Sequence, residues 1–123
     1  MIQALNAAVG APLLEHVMVR PGMESYWRAL KEVMDPELPI SVVDMGLIFD
    51  IDDDGPGRLR VTMTFTATAC PCMSLMEMDI RDRLRAEPGV EAVEIEVVWS
   101  PAWHRGMLTD EGKATLRRYG VAA

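Results

Sequence analysis

From Leu59 to Phe65 the chain alternates between two classes of residue. Leu59, Val61, Met63 and Phe65 are apolar on one parity, with Arg60, Thr62 and Thr64 polar on the other. A two-residue period of this kind predicts a strand with one buried face. The signature occurs twice more. Met45, Leu47, Phe49 and Ile51 predict a strand before it, and Val93, Ile95, Val97 and Trp99 predict one after it, with Glu94 and Glu96 facing out. Elsewhere the period is helical. Met23, Tyr26, Trp27, Leu30, Val33 and Met34 form the apolar stripe of a helix that ends at Asp35-Pro36. Met73, Met76, Ile80 and Leu84 mark a second helix, closed by Pro88-Gly89. A last helix runs from Thr109 to Tyr119, with Asp110 and Glu111 in its first turn and Gly120 at its end.

The connections order these elements. Asp52-Asp-Asp-Gly-Pro-Gly57 reads as a hairpin turn, so the first two strands are antiparallel. From Phe65 through the second helix to Val93 the chain is long enough for a right-handed crossover, which makes the third strand parallel to the second. Asp35-Pro-Glu-Leu-Pro39 must be a loop, because its prolines exclude helix and inner strand. The expected fold is α+β, two layers in the order αββαβα, with helices on one face of a small mixed sheet. Residues 1–22 read as an N-terminal leader without firm structure, and residues 23–123 as a single domain.

Composition narrows the function. With 123 residues, 19 acids against 12 bases and a net charge of −7, sequence-independent nucleic-acid binding is excluded as an expectation. No apolar run reaches membrane-spanning length. No basic residue precedes Arg20, which argues against a secretory signal. The 2 cysteines, Cys70 and Cys72, are separated by one residue, a spacing that strains a disulfide. A cytoplasmic, reduced protein is expected.

The candidate chemistry lies where strand gives way to helix, in Thr66-Ala-Thr-Ala-Cys-Pro-Cys-Met73. Pro71 suits the first helical position, which would make Cys70 the N-cap. Free N–H groups and the positive dipole end there favour its thiolate, the form that attacks electrophiles and binds metals. Cys72 is a second candidate ligand, although Cys-Pro-Cys lacks the usual Cys-x-x-Cys spacing. Thr64, Thr66 and Thr68 share one parity and read either as a solvent-facing strand edge or as hydroxyls that hydrogen-bond the loop presenting Cys70. His104 is a candidate ligand or base, equally readable as a solvated surface histidine, and Asp44 and Glu37 are further polar candidates, each equally readable as a loop-shaping group. The 10 methionines are most simply core filler, or a face for a partner.

Four segments, Asp35-Pro-Glu-Leu-Pro39, Val43-Asp-Met-Gly-Leu-Ile48, Thr66-x-Thr-x-Cys-Pro71 and Val98-Trp-Ser-Pro-Ala-Trp103, fall in the order and spacing of one family. From Glu24 to Gly120 the chain resembles the metal–sulfur cluster assembly domain of SufT-like factors, PaaD-like proteins and eukaryotic cytosolic iron–sulfur targeting factors. The tail, with Leu108-Thr-Asp-Glu-Gly-Lys113 and Leu116-Arg-Arg-Tyr-Gly-Val121, leans toward the PaaD-like branch. The resemblance implies an αββαβ core, a role in iron–sulfur protein maturation and a reactive cysteine at Cys70. It carries Asp44 and Glu37 over as residues lining the site. The chain departs from the family in having Ala69 where glycine usually precedes Cys-Pro, in having Cys72, and in lacking the cysteine-rich tail common in PaaD-like proteins.

The expected function is an accessory factor without turnover that helps load or pass an iron–sulfur cluster. Its cofactor is then a transient cluster on Cys70, with Cys72 as helper. Its partners are a client iron–sulfur apoprotein or a scaffold, and a second copy in a homodimer. Two alternatives stay open at this point: a thiol enzyme with Cys70 as nucleophile and His104 or Asp44 nearby, and a non-catalytic subunit of an oxygenase complex.

Overall fold

A computed structural model describes residues 16–35, 39–66 and 73–120. The elements follow the expected order: α1 (Glu24–Leu30), β1 (Ile48–Asp53), β2 (Arg58–Met63), α2 (Met73–Arg85), β3 (Ala92–Val97), a 3-10 turn (Arg105–Met107) and α3 (Asp110–Arg118). β1 and β2 are antiparallel, β2 and β3 parallel, and the sheet order is β1-β2-β3. The mixed sheet and its crossover helix are as the connection lengths require.

One face of the sheet is covered. Leu59, Val61 and Met63 of β2 are buried with Ile80 and Leu84 of α2 and Trp27 and Leu30 of α1. The other face is open and charged. There Arg60 lies 3.5 Å from Asp54 and 3.9 Å from Glu94. Such exposed pairs contribute about 0–1 kcal/mol each, so the buried face carries the stability.

Two elements differ from the periodicity. α1 stops at Leu30, and the following N–H groups of Glu32 and Val33 bond back three residues, to Ala29 and Leu30. Met34 instead bridges Ser41, one residue before Asp35, the position that Pro36 biases away from helix. In β1 the register shifts between Ile48 and Asp50. Such a bulge shifts the alternation by one residue, so the adjacent Ile48 and Phe49 are both buried.

Residues 16–20, assigned to the leader on sequence, lie along the outer edge of β1. Met18 N–H donates to the Phe49 carbonyl at 2.8 Å, and Arg20 bonds both Asp50 carboxylate oxygens at 2.9 Å. Val19 is buried. This strap takes the place of a fourth strand.

Candidate functional site

Strand direction gathers three segments at one end of the sheet. β2 ends at Met63, and β3, parallel to it, ends at Val97. β1 runs the other way, so the loop 41–47 that feeds it lies at the same end. Two backbone bonds fasten the group: Thr64 N–H to the Leu47 carbonyl at 2.9 Å and Val98 N–H to the Met63 carbonyl at 2.8 Å. The chain leaves β2 here through Thr66 and returns as α2 at Met73. Ligands in α/β sheets sit beyond the carboxyl ends of parallel strands, and the cysteine-bearing segment connects at that end.

Asp44 is the tie of this end. Its Oδ1 accepts from the Thr109 hydroxyl at 2.7 Å and its Oδ2 from the Ser41 hydroxyl at 3.0 Å. Its own N–H donates to Ser41 Oγ at 3.0 Å, and its carbonyl accepts from Thr109 N–H at 3.0 Å. Lys31 Nζ stands 3.8 Å from Oδ1. One buried carboxylate thus joins the end of α1, the loop 41–47 and the start of α3. Thr109 also caps α3, its hydroxyl accepting from Gly112 N–H at 3.0 Å. Gly112 permits the approach, since a Cβ there would lie 2.7 Å from the Asp44 carbonyl. The sequence held no sign that Ser41, Asp44 and Thr109 meet, because the last contact spans 65 residues.

The exit segment is pinned to the same loop. Trp103 Nε1–H donates to the Met45 carbonyl at 2.7 Å. His104 is exposed, and its Nδ1 accepts from Gly106 N–H at 3.1 Å, capping the 3-10 turn. On the facing side His16 bonds the Gly46 carbonyl through Nε2 at 3.2 Å and meets the Phe49 ring edge-on at 5.0 Å. Gly46 itself has φ +80°, and a Cβ there would collide with the Met107 carbonyl. Burial lowers the His16 pKa; the Gly46 bond works against this, and the charge of His104 adds to it. A depressed histidine pKa means that the unfolded chain binds the proton more readily. The contribution of His16 is therefore complete above the unfolded value of about 6.5 and is lost as pH falls below it. We expect the melting temperature to fall by a few degrees between about pH 7 and pH 5, and the fall to shrink in His16→Gln. Equal pH dependence in both proteins contradicts this.

Thr66 is exposed at the start of the cysteine segment. Thr64, two residues earlier, is fully buried, and among the described residues its hydroxyl has no hydrogen-bond partner. An unpaired buried hydroxyl costs about 1–3 kcal/mol. Thr64→Val is accordingly expected to raise the melting temperature by about 3 °C or more, and an unchanged or lower value contradicts that reading. α2 carries no acidic residue in its first turn, so nothing there opposes an anion at its N-terminus. Glu37, Thr68, Cys70 and Cys72 lie outside the described residues, as does the proposed N-cap at Cys70. Among the described residues no group of three or more histidine, cysteine or acidic side chains is gathered to hold a metal.

Residues 26–97, more than half of the chain, match the family model described as iron–sulfur cluster assembly protein. The chain belongs to this family. The iron–sulfur assembly domain therefore spans α1 to β3, while Asp44 ties it to α3 beyond the matched region. A relative from Porphyromonas gingivalis named Fe-S protein maturation auxiliary factor is 37% identical over 93 residues, covering 76% of this chain and 89% of that protein. The Bacillus subtilis Fe-S protein maturation auxiliary factor YitW is 34% identical over 93 residues, 76% of this chain and 91% of its own length. In structure, a domain of unknown function from Bacillus anthracis superposes with a TM-score of 0.71 at 31% identity, covering 76% of this chain and 89% of that one.

Proposed function

We propose that this chain is a non-catalytic accessory factor that carries an iron–sulfur cluster, as cargo, to a client apoprotein, with Cys70 as the ligand that takes it up and gives it away. The observation that carries the reading is the shared end of β2 and β3, where Asp44 and Trp103 brace the loops around the point at which the Cys70 segment leaves β2. Relatives named as maturation auxiliary factors support the accessory role.

The same geometry weakens the thiol-enzyme alternative. A nucleophilic cysteine needs a base with an open acceptor atom. Both Asp44 oxygens accept bonds inside the chain, and His104 Nδ1 is occupied by Gly106. Two thiolates also suit transfer better than storage, since stable clusters usually take about four protein ligands. The missing ligands come from a second copy, bringing two Cys70 residues together, or from a small external thiol. Trp99, 43% exposed at the end of β3 and 6.2 Å from the Phe65 ring, is the apolar group through which a partner would meet this end. The tail from Ser100 onward supports assigning the chain to the PaaD-like branch, with an oxygenase or another metalloprotein as the client. Among the described residues no helix is long and apolar enough to cross a membrane, and a cytoplasmic setting remains part of the proposal.

Anaerobic reconstitution with iron and sulfide tests the proposal. Visible absorbance should appear, a chelator should strip it within minutes, and sedimentation should show a dimer when loaded. Absence of any iron–sulfur absorbance would count against the carrier role.

A further inference from the structure

Among the described residues the sheet has one covered edge and one bare edge. Along β1 the strap 16–20 stands in for a further strand, whereas β3 pairs only with β2 among the described residues. The ladder fixes which backbone groups of β3 remain over. Ala92 N–H donates to the Gly57 carbonyl at 3.0 Å and Val98 N–H to the Met63 carbonyl at 2.8 Å. Residues two apart on a strand face the same way, so positions 92, 94, 96 and 98 spend their backbone groups on β2. Val93, Ile95 and Val97 turn theirs outward. Of these, among the described residues, only the Val93 carbonyl is engaged, by Arg81 Nε of α2 at 3.4 Å. Among the described residues the three outward N–H groups and the carbonyls of Ile95 and Val97 are left to pair.

A bare edge accepts another strand readily. A second copy is the first occupant to test, and the side chains oppose it. In an antiparallel pair centred on Ile95, Glu94 of each copy faces Glu96 of the other. Moving the centre to residue 94 or 96 sets a glutamate against itself. Every such register sets the Cβ atoms of two glutamates about 5 Å apart on the open face, where like charges directly opposite destabilise. The chain's net charge of −7 adds to the repulsion. Arg60 offsets Glu94 in part at 3.9 Å, but among the described residues Glu96 has no ion pair. The pattern that repels a second copy suits an oppositely charged strand.

We infer that the outer edge of β3 receives an extended segment of the client protein, with lysine or arginine at every second position beside Glu94 and Glu96 and apolar residues between. The apolar positions fall on the face where Val93, Ile95 and Val97 are still partly exposed. Calling this segment the client's rests on the carrier reading above. The location gives the capture a purpose: β3 leads within two residues to Trp99, at the end of the sheet where the Cys70 segment begins and ends. A client strand held along β3 is thereby anchored beside the point of transfer.

The test uses the full metal-free chain and two synthetic hexapeptides with blocked ends, one alternating lysine and valine, the other glutamate and valine. Amide hydrogen exchange is read residue by residue. The lysine peptide should slow exchange at Val93, Ile95 and Val97 by about tenfold or more and leave Glu94 and Glu96 unchanged. The glutamate peptide should do nothing, and a Glu94→Lys, Glu96→Lys double variant should reverse the preference. No protection at the three amides, equal protection by both peptides, or protection that rises with protein concentration alone would each overturn the inference. Without metal present, such a failure leaves the carrier reading standing, while failed reconstitution beside successful peptide capture removes only the carrier reading.

Discussion

Cys70→Ser is expected to abolish activation of an apo-acceptor by the reconstituted protein while leaving the far-ultraviolet circular dichroism and melting temperature unchanged. Serine is close to cysteine in size, and the core rests on large fully buried side chains, Trp27, Leu30, Leu47 and Ile80 among them. A serine hydroxyl at this position is a far weaker anion than a thiolate and does not hold iron at neutral pH. Cys72→Ser should reduce activation only in part. His104→Ala should do less still, because the bonded nitrogen of that exposed ring caps a single 3-10 turn. A Cys70→Ser protein that activates the acceptor as well as the wild type would leave the carrier role without its ligand. Faster alkylation of Cys72 than of Cys70 would exchange the roles of the two thiols.

Asp44→Ala should act in the opposite way, on stability first. The substitution removes the acceptor of the Ser41 and Thr109 hydroxyls and strands both in a buried site, while Lys31 keeps its 2.9 Å bond to Glu111. Leaving two buried hydroxyls without their acceptor costs about 1–3 kcal/mol each, and the melting temperature should fall by roughly 10 °C or more. Asp44→Asn, which keeps the volume and one acceptor, should lose less. Thermal and urea unfolding read the effect. An Asp44→Ala protein that melts like the wild type yet fails to transfer a cluster would move Asp44 from the scaffold into the site itself.

Strict periodicity made β2, β3, α2 and α3 legible in the sequence, each within one or two residues of its observed span. Local patterning could not reveal contacts made across long stretches of chain. The bulge at Ile48 breaks the alternation that placed the start of the first strand at Met45. The Met34–Ser41 bridge shortens a helix whose apolar stripe continues beyond it. Asp44 illustrates the limit for the site. Its acidity amid apolar neighbours marked it as unusual, but a functional carboxylate and a structural one look alike until Thr109 and Ser41 are placed beside it. His16 carried no periodic signal, and only the fold brings it to Gly46 and into the influence of His104. The Cys70 segment lies outside the described residues. The described ends at Thr66 and Met73 place it between strand and helix, and the chemistry proposed for it rests on residue type and that placement.

The most direct measurement follows the cargo. The chain is loaded anaerobically with isotope-labelled iron and sulfide, freed of excess reagent and mixed with an apo-ferredoxin, and the label is located by Mössbauer spectroscopy after the two proteins are separated. The carrier role predicts that labelled cluster moves to the ferredoxin faster than the same amount of free iron and sulfide assembles on it, and that Cys70→Ser removes the advantage. Label that stays on the chain, or transfer no faster than from free iron and sulfide, would contradict it.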